Sequence, residues 1–521
     1  MANVADTIRQ AFEHSLRLRQ EMERWVDQTR TMDPPGQQGG GEDEANYALA
    51  WIPHYLITQS EGVREHFVDL RNQLGGWVER DCHHGYETEA EAHHGTEPFL
   101  LFLPRYLGLF PDDKKAGALL EDAAHHIGNW VGGVPAWFDW EANRFIGYRI
   151  GSVDVENTPE TRVELAEHFR FIHIALAAYR ATGEGRYLDW AVGYGRKRAQ
   201  QICDVEGDRL PIMWDHEGRP IFQKTLTRSQ GGMAAQNHQI QGDPLAGVEV
   251  LLASGAIYAL GDMFRETKEA VFCAAAKRIA EPMIDQLLDP YSDPGAAALL
   301  YYRWTFGELS LDTQIENMIR RMPNEADGEL TMMFPEHRRR VWPGVGKRMD
   351  MTFWGLWQED GSVTPTQEPS TSALTLAYQL TGDIDYARRA FGQAERKLTM
   401  ARRVLRGGRE HADMGGAVCS TAAGHGRNWG SGAVTGCYGP LMLGTREIKG
   451  AVSPTVQIES YGQMNLPEDV LTLVRPDCNG KADLIVFNGG TNPHKLTVHT
   501  DTARAVEVGP GQQVDLKVEV S

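Results

Sequence analysis

An Asn–His pair in AAQNHQIQGDPLAG (234–247) is one place where this sequence holds residues able to move a proton. Asn237 and His238 precede an apolar run, VEVLLASGAIYALG, that reads as a helix. Abstracting the proton α to a uronate carboxylate needs a base of near-neutral pKa and a group that neutralises the carboxylate. An imidazole is the natural base, and an amide can hydrogen-bond the carboxylate as it gains enolate character. A helix-capping Asn237 beside a buried, hydrogen-bonded His238 would account for the same pair without any chemistry.

A second cluster is CHHGYETEAEAHHGTEPF (82–99), with four His and four Glu. On a helix His83, Glu87 and Glu91 would share one face, and Glu89, His93 and Glu97 another. Glu87 and Glu89 could supply an acid and a base, with His83 and His94 as substrate contacts. HExxH is absent and no metal is assigned; a solvated acidic stretch is the plain alternative. A third cluster is GHGRNWGSG (424–432), followed by Tyr438. Its glycines let backbone approach a ligand, Arg427 suits a bidentate grip on a carboxylate, and Trp429 offers a stacking face.

Tryptophans recur beside carboxylates. GVPAWFDW places Trp137 and Trp140 next to Asp139, and MTFWGLWQEDG places Trp354 and Trp357 next to Glu359 and Asp360. Aromatic faces stack on the apolar faces of sugars while carboxylates bind hydroxyls. A single Trp is more often core, so the clustering carries this reading.

The whole chain sets limits. Its 521 residues carry a formal net charge of −19, with 41% hydrophobic residues. A nucleic-acid partner needs a basic face and is excluded as the main ligand. Six scattered cysteines without a CxxC read as reduced thiols. The N-terminus MANVADTIRQAFEHSL has no apolar signal core, and no run spans a membrane. The expectation is a cytoplasmic protein, or an exported one whose signal has been removed. No cofactor is expected, and oligomeric state is left open.

The elements that must hold these clusters repeat one grammar. IHIALAAYRATGEGRYLDWAVGYG (172–195) and ALTLAYQLTGDIDYARRAFGQAERK (373–397) each read as an apolar helix, a Gly turn and an amphipathic helix. LASGAIYALGDMFRETKEAVFCAAAKRIA (252–280) and residues 99–127 are looser versions. Turn glycines are expected at Gly108, Gly183, Gly261 and Gly382. Their spacing is too wide for repeat arrays of about 34–47 residues. A ring of stacked helical hairpins with inserted loops fits better.

The Tyr-x-x-Thr-Gly-x-x-x-Tyr pattern at Tyr179–Tyr187, and its near copy at Tyr378–Tyr386, resembles the (α/α) toroid superfamily of carbohydrate-active enzymes. The resemblance implies a mainly α fold and a hydrolase, lyase or epimerase acting on an oligosaccharide or polysaccharide. The Asn237–His238 pair is similar to that of toroid uronate lyases. By that resemblance Tyr302 would donate to the leaving oxygen, and Arg303 or Arg427 would hold the carboxylate, with Asp243 nearby as a substrate contact. Where aromatics follow the His in that family, Gln239 and Ile240 stand here.

Residues 1–32 read as an N-terminal helix, 33–44 as a Gly-rich linker and 45–450 as the toroid. Residues 451–521 read as a small C-terminal β-sandwich built from short β runs, such as DVLTLVRP and ADLIVFNGG, with turn residues between them. DVEGDRLPIMWDHEGRPIF (204–222) reads as a β-hairpin on the rim. The leading expectation is β-elimination on a uronate-containing glycan. The alternatives are a toroid glycoside hydrolase using two of Glu87, Glu89, Asp139, Asp243, Asp360 and Glu368, and a non-catalytic glycan binder.

Overall fold

The computed structural model describes residues 4–30, 42–88, 90–91, 96, 98–207, 209–222, 225–236, 251, 255–288, 293–324, 329–333, 353–404 and 432–520. Helices alternate between two layers. The outer layer holds α1 (Val4–Thr29), α3 (Glu61–Asp81), α5 (Lys114–His125), α7 (Gly185–Cys203), α9 (Ala270–Ala280), α11 (Asp312–Ile319) and α13 (Ile384–Val404). Between them run α2 (Glu42–Thr58), α4 (Leu103–Leu109), α6 (Phe169–Thr182), α8 (Ala256–Thr267), α10 (Asp293–Phe306), α12 (Thr371–Thr381) and the short α14 (Tyr438–Met442).

The inner helices form a closed ring. Neighbours touch in the order α2, α4 with the π-turn Pro98–Phe102 before it, α6, α8, α10 and α12. Thr371 and Thr375 of α12 then donate to the carbonyls of Gly432 (3.2 Å) and Gly436 (2.8 Å), and α14 returns to α2. The outer ring closes where α13 lies along α1.

Composition explains the layering. Every residue from Phe169 to Ala178 in α6 is buried, as is every residue from Thr371 to Gln379 in α12. A helix apolar on all sides is stable only when enclosed. By contrast α1 buries Ile8, Ala11, Phe12, Leu18, Met22 and Trp25 together with the partnered Arg19 and Glu21, and exposes Arg9, Glu13, Arg17, Glu23 and Asp27.

Gly183 and Gly382 cap their helices as expected, with φ of 75° and 73° and amides bonded back to Tyr179 and Tyr378. The other two expected turn glycines are corrected. Gly108 lies inside α4 against Ala451, and Gly261 lies inside α8. A Cβ on Gly261 would overlap the Tyr301 ring, so this glycine permits close helix approach rather than a turn. Lys268, at φ 60°, ends α8 instead.

The helical reading of residues 82–91 is likewise corrected. Cys82 ends α3, and His83 pairs with Tyr86 across a tight turn, so His83, Glu87 and Glu91 do not share a helix face. The rim hairpin is present: Met213–Trp214 pairs with both Glu164–Leu165 and Pro220–Ile221. None of the described helices is long and apolar enough to cross a membrane.

The C-terminal region is a β-sandwich. One antiparallel sheet orders Gln457–Ser460, His494–His499 and Ala503–Val508, and the other Val470–Pro476, Lys481–Asn488 and Gln513–Glu519. Leu473, Leu484 and Leu516 from one sheet, and Ile458, Leu496 and Val506 from the other, belong to the same buried cluster as the ring. The fold is mainly α with a small β region. A hairpin, Arg446–Ile448 with Ala451–Ser453, joins the two parts. Lys449 and Gly450 both have positive φ at its tip, as a two-residue hairpin turn demands.

Candidate active site in the ring interior

The inner helices and the joining hairpin line a cavity of about 150 Å³. Tyr258 from α8 and Tyr301 and Trp304 from α10 form its aromatic wall. Their rings are in contact: Tyr258 and Tyr301 lie 4.4 Å apart, Tyr301 and Trp304 6.4 Å and edge-on. The Tyr301 hydroxyl donates to the Tyr258 carbonyl at 3.2 Å.

Three guanidiniums line the same space. Arg105 of α4 is 1% exposed; it donates to the Leu101 carbonyl (2.8 Å) and pairs with Glu447 of the hairpin. Arg303 pairs with Asp312 at 3.0 Å, and the Arg446 guanidinium carbon stands 3.5 Å from the centre of the Trp304 ring. Arg265 lies against Trp304 as well, at 4.6 Å. The Gln379 amide, also on the wall, donates to the Val474 carbonyl at 2.8 Å.

Burial sets the electrostatics. It pushes the Glu447 carboxyl up, against the pull of Arg105 and Arg180. It also holds Arg446 down to about 9, with the like charge of Arg265 adding to the effect. Behind the aromatic wall Asp262 is 1% exposed and pushed up to about 7, chiefly by burial. Its carboxylate accepts the Lys449 backbone N–H at 2.5 Å, so the hairpin tip is docked on α8.

Arg303 is the residue from the sequence expectations that lines this cavity among those whose side chains are described. Tyr302 requires correction: it is 1% exposed and lies beside Cys273 of the outer layer, while its neighbour Tyr301 faces the cavity. Trp137 is also core rather than surface. It is fully buried, stacked on His126 at 4.5 Å, and donates to the Gly151 carbonyl at 3.0 Å. Tyr438 is fully buried and shares a 3.1 Å hydrogen bond with His54, which contacts Glu23 at 2.8 Å.

Trp140 and Trp357 are exposed by 54% and 47%, away from the cavity wall. His83 is exposed, and Glu87 is half-buried with its backbone carbonyl accepting from Ser152. Nearby, His84 contacts Asp122 at 2.7 Å, and burial holds His126 down to about 3. Among the described residues no group of three or more His, Cys, Asp or Glu could hold a metal ion. Of the hydrolase candidates, Glu368 is buried and bonded by Gln393 and Arg396, whereas Asp139 and Asp360 anchor surface turns. Asn237, His238, Asp243, Glu89, His94, Arg427 and Trp429 lie outside the described residues, as does the side chain of Trp354.

Sequence reasoning missed Arg105, Tyr258, Asp262, Arg446 and Glu447. For two of them a signal exists: Arg105 in FLLFLPRYLGLF and Asp262 in LASGAIYALGDMF are lone charges within apolar runs. A charge in such a run is buried only when partnered.

No family model and no curated protein matches this sequence. Among solved structures, the chain is similar to a cellobiose 2-epimerase from Bacillus thermoamylovorans B4167, with 10% identity and a TM-score of 0.30 over 52% of this chain and 87% of that one. It is also similar to an unsaturated glucuronyl hydrolase solved with dGlcA-Glc-Rha-Glc, with 14% identity and a TM-score of 0.39 over 82% of this chain and 93% of that one.

Proposed function

We propose that this protein is a carbohydrate-processing enzyme that admits a uronic-acid-bearing oligosaccharide to the ring interior and cleaves it by β-elimination. The supporting observation is the meeting of Tyr258, Tyr301 and Trp304 with Arg105, Arg303 and Arg446 around one cavity. Aromatic faces suit sugar rings and guanidiniums suit a carboxylate. In this reading His238 takes the proton α to the carboxylate and Asn237 hydrogen-bonds the enolate-like carboxylate. The electron pair then forms the ring double bond, and the glycosidic oxygen leaves with a proton. Tyr301 replaces Tyr302 as the phenol assigned to that last transfer, because it is the one on the cavity wall.

His238→Ala tests this: turnover should fall by about 10²-fold or more, the scale of a lost general base, with oligosaccharide affinity kept. Full turnover in that variant would remove His238 from the mechanism.

Glycoside hydrolysis is the second reading, favoured by Glu447. Its carboxyl lies on the cavity wall and is pushed up by burial, as a general acid requires. Under that reading Glu447→Gln abolishes turnover and His238→Ala does not.

A further inference from the structure

Trp140 is 54% exposed and lies away from the cavity wall, yet a hydrogen bond and two neighbouring rings hold it. We propose that Trp140 is the platform of a second sugar site, on the outer layer of the ring, where one unit of a neutral oligosaccharide or polysaccharide chain stacks. This goes beyond the reading of the ring cavity and does not depend on it.

The loop that carries the platform is tightly built. A Cβ on Gly128 would overlap the Trp130 ring, so glycine is what lets that indole fold back over the turn. Asn129 follows at φ 58°, a conformation that Asn tolerates better than most residues. Its side-chain oxygen accepts from the Trp137 and Phe138 amides at 2.8 and 3.0 Å, and its amide donates to the Phe138 carbonyl at 2.7 Å. The Gly128 carbonyl accepts from Trp140 Nε1 at 3.2 Å. Phe138 meets the indole edge-on at 5.3 Å, and Trp130 lies tilted against it at 6.2 Å. Lys197 of α7 donates to the Ala142 and Asn143 carbonyls at 2.6 and 3.1 Å, which ties the segment to the outer layer. An exposed indole held in this way is a preformed stacking surface, and little side-chain freedom is lost when a sugar lands on it.

The surroundings select the ligand. Asp139 and Glu141 flank Trp140 and are exposed, and carboxylates accept hydrogen bonds from sugar hydroxyls. Beyond Trp130, Arg186 stands 5.5 Å from the ring centre, but it is matched by Glu184 at 2.8 Å, with Glu121 at 3.9 Å. These acids and the formal net charge of −19 disfavour an anionic chain. Size disfavours a protein partner. Trp140 stands among exposed Asp139, Glu141 and Ala142, whereas a stable interface needs about 800 Å² per partner around an apolar centre.

The test is hydroxyl-radical footprinting of the native chain, with oxidation at Trp140 located by peptide mass spectrometry. The probes are cellohexaose, maltohexaose, xylohexaose, mannohexaose and hexagalacturonate. At least one neutral hexaose should slow the oxidation of Trp140 in a saturable way, and hexagalacturonate should not. Trp140→Ala should then raise the dissociation constant for the matching neutral polysaccharide, read from mobility in native gels, by about tenfold, the scale of one lost aromatic contact. Its melting temperature should stay that of the native chain, and Trp140→Tyr should keep part of the affinity. Trp304→Ala, which alters the ring cavity, should leave Trp140 protection unchanged.

Protection by none of the sugars would overturn the proposal, as would protection by hexagalacturonate equal to that of any neutral sugar. Polysaccharide affinity that survives Trp140→Ala would overturn it as well. So would a fall in Trp140 oxidation with rising protein concentration and no sugar, because that assigns the platform to a second copy of the chain. Saturable protection of Trp140 in a chain that cleaves no oligosaccharide would instead leave this site standing and remove the enzymatic reading of the cavity.

Discussion

Arg105 of the inner ring and Glu447 of the joining hairpin form a buried ion pair, 1% and 13% exposed at their side chains. The pair ties the helical ring to the strands that lead into the sandwich. Removing one partner leaves a buried charge, which costs about 3–5 kcal/mol, whereas replacing both with apolar residues of similar volume costs far less. Glu447→Ala should therefore lower the unfolding free energy by about that amount, and Arg105→Met with Glu447→Leu should recover much of it. Denaturant unfolding checks both, and a loss under about 1 kcal/mol for Glu447→Ala would contradict a tightly coupled pair.

Asp262 makes stability depend on pH. Its folded pKa of about 7 lies above the ordinary carboxylate value of about 4. The folded state therefore holds this proton more tightly than the unfolded chain. That contribution is complete below pH of about 4 and is lost as pH rises through about 7. Glu447, also pushed up, acts in the same direction. Asp262→Asn removes one such loss, and its amide oxygen can still accept the Lys449 N–H. The melting temperature of the native chain should fall relative to the variant between pH 5 and 8. Parallel curves would show that Asp262 does not titrate there.

Two tryptophans should separate stability from binding. Trp137, packed on His126 and Phe171, should cost about 3–5 kcal/mol on replacement by Ala through the cavity left behind. Trp304 lies on the cavity wall, so Trp304→Ala should weaken sugar affinity by about tenfold, the scale of one lost aromatic contact. Unfolding curves and binding isotherms of both variants check the contrast. It fails if Trp137→Ala loses affinity and keeps its stability.

Tyr438→Phe should act on stability alone. The hydroxyl bonds to His54, whose other nitrogen contacts Glu23. Losing it leaves the His54 Nδ1 without that partner in a buried site, at about 1–3 kcal/mol. Turnover at a temperature well below melting should be unchanged. A large fall in turnover with stability intact would place Tyr438 in the chemistry instead.

Much of the scaffold is legible because it rests on local rules. Gly183 and Gly382 announce left-handed helix caps, and the strands at 457–460, 494–499 and 513–519 alternate in burial. Gly261 shows where such rules stop: the same residue type serves a turn in one hairpin and a helix contact with Tyr301 in another. Only the tertiary neighbour decides between them. The cavity was less legible for a related reason. Arg105, Tyr258, Trp304 and Arg446 come from four separate elements, and nothing in their sequence spacing brings them together. Tyr301 and Tyr302 differ by one helical step, about 100°, which is enough to send one to the cavity and the other to Cys273.

The most direct measurement is a panel of uronate-containing and neutral oligosaccharides, followed together by ultraviolet absorbance and by new reducing ends. The account predicts that uronate-containing members release reducing ends with a matching rise in absorbance, the signature of an unsaturated product. Reducing ends without absorbance would contradict β-elimination and favour hydrolysis with Glu447 as the acid. No cleavage of any member would contradict the enzymatic reading itself.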